Sequence, residues 1–491
     1  MQKINDIRLL LAVLAPLIGA GLVMVTGKKR PNLREGCSLL ASTSLFVLVA
    51  SMIPAIFAGK MLHYTVFKLL PGLSVSLRAD AMSMIFAVCA SFLWMVTVFY
   101  SAGYMRGLNE HEQTRFNVCF ALALFGAIGC AFSDNLLTLY LFYEIVSLCT
   151  YPLVAHHQDE ESYESGKKYL TYLTSTAKGL VLPAMVLIYV LSGSLDFATN
   201  IHTGILPPGV HRGLVTALYI CCILGFAKNG VMPFHNWLPS AMVAPTPVSA
   251  LLHAVAVVKV GVFSTCRVML YVFGADIMHK FDLGLPTAYF VSFTIIAASI
   301  VALSKDNLKA RLAYSTVSQL SYIILGVALL TDTGIEGGLI HIANHAFSKI
   351  TLFFCAGAIY VATHKKNISE MSGLGRAMPF TFGAFALASL SMIGAPPVCG
   401  FVTKWYLVNG AIDAHSIAIL IVLLTSTLLN AAYFVPVVYS GFFGKTSEAD
   451  VKHKFTEAHP SLVIPLTITA AISLVIGLYP QFLMHFVQHV L

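Results

Sequence analysis

Residues 212–239 read RGLVTALYICCILGFAKNGVMPFHNWLP. The stretch begins as an apolar helical run and then breaks where a membrane helix should continue, at Gly225, Gly230, Pro233 and Pro239. Proline has no backbone donor and its ring clashes with the preceding turn, so it ends or kinks a helix. Inside a bilayer, broken backbone is tolerated only where protein encloses it or where it lines a hydrated cavity. Lys228 sits at this break. One stretch therefore predicts a membrane helix, an interruption in it, and a cation housed at the interruption.

The rest of the chain agrees with a membrane fold. Of 491 residues, 11% are charged and 57% hydrophobic, with a mean hydropathy of +0.81. Soluble domains carry about 25% charged residues. This excludes a soluble enzyme, a nucleic-acid binder and a disordered chain. The net charge of +8 comes from scattered basic residues, with no run beyond Lys28-Lys29-Arg30. None of the ten cysteines forms a C-x-x-C pair, and Cys89, Cys130, Cys149 and Cys355 lie in apolar runs. They read as small hydrophobes. No cofactor and no metal are expected, and no ligand set for a redox centre is visible, so a quinone-binding membrane enzyme has little support. The first apolar run, 7–26, lacks an A-x-A cleavage site and reads as a retained span.

A span needs about 20 apolar residues. Fourteen candidates follow: roughly 7–26, 38–58, 79–103, 117–133, 135–155, 168–193, 212–232, 244–273, 284–303, 311–330, 336–361, 379–411, 415–441 and 461–481. The fold expected is an all-α polytopic membrane protein, with short connections and 59–78 among the longest. Loops after odd-numbered spans hold 17 Lys and Arg, Lys452 and Lys454 among them; loops on the other side hold 7. The positive-inside rule makes the first side cytoplasmic and sends both termini outward, in a cell's inner (cytoplasmic) membrane.

Six basic residues remain inside spans: Lys178, Lys228, Lys259, Arg267, Lys349 and Lys404. Glu144, in Leu141-Phe-Tyr-Glu-Ile-Val146, is the one deep acid; Asp80 and Asp134 fall near span ends. A charge at the bilayer centre costs at least about 2.5–3.5 kcal/mol, so each needs a reason. Glu144 reads either as half of a helix-pinning salt bridge or as a carboxylate with a transient partner. Lys228 reads either as a cap on the break or as a switch. Burial favours a neutral amine and a nearby carboxylate favours an ammonium, so moving Glu144 relative to Lys228 would drive a proton on or off.

Lys404 repeats the arrangement after a second break, Gly394-Ala-Pro-Pro-Val-Cys-Gly400, five spans on. Corresponding breaks of this kind mark inverted repeats. The expected organisation is an N-terminal three-helix segment (1–116), two inverted five-helix repeats (117–273 and 284–441) with broken helices 7 and 12, and a C-terminal helix (442–491). Between the breaks, His341, His345 and Lys349 recur at i, i+4 and i+8 on one helix face, a stripe of roughly 12 Å. A zinc reading is disfavoured by the lack of the H-E-x-x-H glutamate and by the cation that continues the stripe; three protonatable groups in line favour a proton wire. Lys259 is placed to link the Lys228 region to this stripe, ahead of His253, which is six residues away and off its face. His235 lies near the cytoplasmic end of the first break, where exchange with water and a packing role are equally open. Gln319 and Ser318 suit holding water. Arg267 and Lys178 are expected to snorkel, and Asp134 to be loop chemistry.

With these residues in place, the block Lys228-Asn-Gly-Val-Met-Pro-Phe-His-Asn-Trp-Leu-Pro239, followed by Ala244-Pro-Thr-Pro-Val-Ser-Ala-Leu-Leu-His253, resembles the proton-conducting antiporter-like subunits of respiratory complex I and Mrp-type cation/proton antiporters. Tyr314-Ser-Thr-Val-Ser-Gln319 and His341-Ile-Ala-Asn-His-Ala-Phe-Ser-Lys349 extend the likeness over about residues 75–440. The resemblance implies fourteen helices with two inverted repeats, and proton-carrying roles at Glu144, Lys228, Lys259, His341, His345, Lys349 and Lys404. Val402-Thr-Lys404-Trp405 looks like the D-type component of Mrp antiporters or its counterpart in membrane-bound hydrogenases; one complex I branch would carry Glu at 404. The implied partners are other membrane subunits, H+, Na+ in the antiporter case, and the lipid bilayer. The function implied is proton translocation inside a multisubunit complex, as part of a Na+/H+ antiporter. The alternative is a pumping subunit of a complex I-like oxidoreductase or a hydrogenase.

Overall fold

The computed structural model describes residues 2–445 and 456–491. Lys452 and Lys454, counted among the cytoplasmic charges, lie outside the described residues. Helices account for every predicted span. They are α1 (Arg8–Thr26), α2 (Pro31–Phe57), α3 (Ala81–Gly107), α4 (Gln113–Ala131), α5 (Leu136–Val154), α6 (Glu160–Ser192), α7 (Arg212–Gly225), α8 (Thr246–Phe273), α9 (Gly284–Ser304), α10 (Leu308–Ala328), α11 (Asp332–Thr363), α12 (Pro379–Ile393, resuming as Cys399–Asp413), α13 (Ile417–Phe443) and α14 (Pro460–Leu478). Eleven of these are long and apolar enough to cross a membrane; Arg212–Gly225 and Pro379–Ile393 are shorter apolar helices. α10 is 21 residues long but more polar, and it is buried along most of its length. A short amphipathic helix, α15 (Gln481–Gln488), follows α14.

Local sequence explains many of the starts. Asp80, Asn135, Asp159, Asn307 and Thr331 each accept a backbone N–H from the first turn of α3, α5, α6, α10 and α11. Such side chains satisfy donors that a helix start leaves free. α8 and α11 form the centre. α8 is buried along its whole apolar window, and α11 packs on α3, α10, α12 and α14. α6 loosens into a π-turn at Ala177–Val181, and α8 does so at Leu251–Val255 and Met269–Phe273.

The connection 59–78 is not irregular. Gln2–Asn5 (β1), Lys60–Leu70 (β2) and Leu73–Ala79 (β3) form one sheet in the order β1-β2-β3, with β1–β2 parallel and β2–β3 antiparallel. The alternation Leu73, Val75, Leu77, Ala79 after a Pro71-Gly72 turn is the sequence signal for it. Gly72 has a φ of +72° and lies against the Gly193 carbonyl, where any Cβ would overlap it. The hairpin is thereby docked on the end of α6.

Both predicted breaks are present. After Gly225 the chain makes a single turn at Ala227–Asn229 and regains helix only at Trp237–Ser240. α12 opens between Ile393 and Cys399. The interrupted backbone is satisfied by protein groups: Asn229 Nδ2 donates to Ile223 O (2.9 Å), and Trp237 Nε1 to Ala227 O (3.0 Å). At the second break Asn430 Nδ2 donates to Met392 O (3.2 Å).

Two expectations fail. Arg267 does not snorkel. It is fully buried and holds Asp80 in a two-bond pair, with Nη1–Oδ2 at 2.6 Å and Nη2–Oδ1 at 2.9 Å. Asp134 is not plain loop chemistry. It is buried between Arg78 (3.5 Å) and His63 (3.0 Å), and Arg78 also reaches Asp80 (3.1 Å). The reason is electrostatic: a buried guanidinium requires a carboxylate, and the two acids near span ends supply it. Lys178 is exposed near the middle of α6.

Candidate functional site

Lys228, Lys259, Lys349 and Lys404 are carried by four different elements, each held through neutral acceptors. Lys228, fully buried in the single turn after α7, donates from Nζ to Tyr143 O (2.8 Å) and Ser147 Oγ (2.6 Å) on α5. The same ammonium lies 3.1 Å from the centre of the Tyr143 ring, where the aromatic face favours a cation. Its backbone N–H donates to Tyr143 Oη (3.1 Å). Glu144, the next residue on α5, is only half-buried, and its Oε1 has no hydrogen-bond partner among the described residues. The predicted pair is therefore adjacent in space but not joined: Lys228 rests on Tyr143 and Ser147 rather than on the carboxylate.

α8 runs directly behind this turn. Gly261 is needed there, because a Cβ would overlap the backbone of Lys228 and Asn229. Two residues earlier on the same helix, Lys259 Nζ lies 2.8 Å from Nδ1 of His345 on α11. This contact links α8 to α11. With Lys259 as an ammonium, Nδ1 must accept, which assigns the proton to Nε2. His345 Nε2 has no partner among the described residues. His253, on the π-turn of α8, lies over Phe353 and leaves both its nitrogens without partners among the described residues.

One turn along α11, the His341 ring is 5.7 Å from that of His345. Its Nε2 meets Gln319 Oε1 (3.1 Å) and its Nδ1 meets Thr403 Oγ1 (3.2 Å). Tyr322 lies beside His341 at 5.8 Å between ring centres, and Lys404 Nζ is 5.7 Å from the same tyrosine ring. Lys404 donates to Ile393 O (2.6 Å) and Thr427 Oγ1 (2.7 Å), so it caps the end of the first half of α12. Its stem crosses Gly394, whose φ is +85°. On the other side of His345, Lys349 is fully buried; it donates to Ser315 Oγ and faces the Phe434 ring at 5.7 Å.

The structure thus brings Lys259, His345 and His341 into one contiguous group, with Lys349 one turn along α11 and Lys404 across Tyr322. It places Lys228 behind Lys259 and Glu144 beyond it. His235 stays apart: it is half-buried at the first break, 6.4 Å from the Tyr314 ring centre, with Nδ1 unpartnered among the described residues. Sequence reasoning missed the neutral residues that position the lysines, namely Tyr143, Ser147, Ser315 and Thr427, and Thr403, which holds His341. Hydroxyls in apolar spans are too common to single out. A search for hydroxyls one helix away from each lysine needs the fold first.

Known proteins share this arrangement of helices. Residues 133–430 match the family described as NADH:quinone oxidoreductase/Mrp antiporter, TM. The chain is 30% identical to NADH-quinone oxidoreductase subunit N of Desulforudis audaxviator, over 98% of both chains. It is 29% identical to Na(+)/H(+) antiporter subunit A1 of Staphylococcus haemolyticus, over 96% of this chain and 61% of that one. Among solved structures, a chain of the Mrp complex from Dietzia sp. DQ12-45-1b superposes with a TM-score of 0.86 at 21% identity, covering 99% of this chain and 96% of the other. A chain of an archaeal membrane-bound sulfane sulfur reductase superposes with a TM-score of 0.88 at 22% identity, covering 99% and 97%. The two superpositions speak to the fold.

Proposed function

This chain belongs to the NADH:quinone oxidoreductase/Mrp antiporter transmembrane family, and we propose that it moves protons within a multisubunit membrane complex along Glu144, Lys228, Lys259, His345, His341, Lys349 and Lys404. The observation that carries this reading is the 2.8 Å contact between Lys259 and His345. It joins α8, packed behind the first break, to α11, packed on the second broken helix, through two groups that both exchange protons. A proton passed from the Lys259 ammonium to His345 Nδ1 makes an imidazolium. That ring can release its other proton from Nε2 toward His341 and the α12 side. Lys404 then exchanges between the Ile393 carbonyl cap and the path.

The two halves, 117–273 and 284–441, are read as inverted repeats, each with one broken helix and a buried lysine at the break. Glu144 is the gate of the first half. A half-exposed carboxylate in mid-membrane is costly against lipid, so a neighbouring subunit is expected to cover α5 at this point. In keeping with the excess of basic loops on one side, that side is cytoplasmic and both termini face outward. His235 serves as an exchange point with water at the first break.

We favour coupling to monovalent cation exchange, chiefly Na+/H+, because Lys rather than Glu stands at position 404. A second reading, a pumping subunit of a complex I-like oxidoreductase or hydrogenase, is favoured by the end-to-end match with an oxidoreductase subunit N. Glu144→Gln tests what both share. A variant that assembles normally should lose proton-coupled transport; full transport in assembled Glu144→Gln complexes overturns the reading. Activity of the intact complex with sodium gradients against NADH or hydrogen then separates the two couplings.

A further inference from the structure

Away from the lysine row, Glu110, His111 and His157 come together at one end of the bundle. Glu110 and His111 lie in the turn between α3 and α4, and His157 in the turn between α5 and α6. One donor atom from each falls within 4.8 Å of the others. His157 Nδ1 is 3.6 Å from Glu110 Oε2. Beside them stands His156, which is 0% exposed. Neither of its ring nitrogens makes a hydrogen bond of ordinary geometry among the described residues. Its Nε2 points to the same Glu110 oxygen at 3.9 Å, and its ring is 4.8 Å from that of His111. A backbone hydrogen bond with His111 also fixes it against the cluster.

We propose that Glu110, His111 and His157 bind one divalent transition-metal ion of the zinc class, with the fourth position left to water. Two imidazoles and one carboxylate suit zinc, copper or nickel, whereas magnesium and calcium take oxygen donors. Zinc holds such donors at about 2.0–2.2 Å in a tetrahedron. Tetrahedral donors at that bond length stand about 3.4 Å apart, so the three, all within 4.8 Å of one another, need close in only slightly to draw the two turns together. The neighbouring cations already have partners: Arg115 Nη2 donates to His156 O (2.8 Å), and Lys28 pairs with Glu112 (2.5 Å). Bound metal would tie the α3–α4 turn to the end of α5, the helix that carries Glu144. Glu110 and His157 also line a cleft of about 610 Å³ that reaches Lys309 and Ala244 beside the first break. The metal would therefore sit at the mouth of an aqueous approach to the site.

The experiment is a cobalt titration of the chain, purified in detergent with the subunits that accompany it. It is followed by the visible absorption of tetrahedral cobalt and by displacement with zinc. One equivalent per chain is expected, with half-saturation weakened at least about tenfold in His111→Ala and in His157→Ala. His415→Ala, an exposed histidine elsewhere, should bind as the parent does. If either alanine variant does not fold, His157→Gln and Glu110→Gln decide. The proposal is overturned by the absence of a saturable cobalt band, or by a band that survives loss of His111 and His157.

Discussion

Asp80 and Arg267 close on each other with two hydrogen bonds of 2.6 and 2.9 Å, 187 residues apart in sequence and sealed from solvent. The pair fastens the start of α3 to the far end of α8. Arg78 and Asp134 extend it to the sheet and to the start of α5, and His63 closes it at the surface. Removing one member of a buried pair leaves a charge without its partner, which typically costs about 3–5 kcal/mol. Arg267→Leu should lower the thermal unfolding midpoint of the detergent-purified protein markedly. Asp80→Leu with Arg267→Leu should cost less than the two single losses added. Equal and additive losses would mean that the pair is not coupled.

Gly394 and Lys404 give a second prediction. Gly394 sits at positive φ, and a Cβ there would overlap the Lys404 stem. Left-handed backbone costs a residue with a Cβ roughly 1–2 kcal/mol. Gly394→Ala should therefore both destabilise α12 and displace the ammonium from the Ile393 carbonyl. Measured in assembled complexes, proton transport should fall while Gly383→Ala, where the structure leaves open space, changes little. A normal transport rate in Gly394→Ala would show that the position of the Lys404 stem is unimportant.

Ser147 separates a capping role for Lys228 from a proton-handling one. Hydrogen bonds to charged groups are worth about 1.5–3 kcal/mol, so Ser147→Ala destabilises the protonated form of Lys228 selectively. If Lys228 only caps the break, thermal stability drops and transport per assembled complex does not. If Lys228 passes protons, the pH profile of transport shifts toward lower pH, because a weaker hold on the proton requires more acid to load the site. Transport assayed across pH in proteoliposomes distinguishes the two.

Much of this architecture can be read from residues alone. The Gly225, Gly230 and Pro233 break, and the Gly394-Ala-Pro-Pro397 break, both appear where glycine and proline interrupt apolar runs. Buried lysines are conspicuous because full charges are rare in those spans. His341, His345 and Lys349 declare a common face by spacing. Helical spacing cannot, however, show which partner a side chain chooses across helices. Lys228 selects Tyr143 and Ser147 over Glu144, and Arg267 finds Asp80 rather than the headgroups. Long-range pairing of this kind is set by how α3, α5 and α8 pack. The hairpin at 60–79 is legible in principle from its alternation and its Pro71-Gly72 turn. It is masked by the neighbouring apolar helices, whose hydropathy dominates any long window.

The most direct measurement concerns Lys259 and His345. Lys259→Met keeps the length of the side chain and removes the amine that faces Nδ1. Proton flux into proteoliposomes, measured with a trapped pH dye and normalised to complexes shown to be fully assembled, should fall by at least about tenfold, a barrier increase of roughly 1.4 kcal/mol. Undiminished flux in fully assembled Lys259→Met complexes would contradict a proton path through the contact between the two halves.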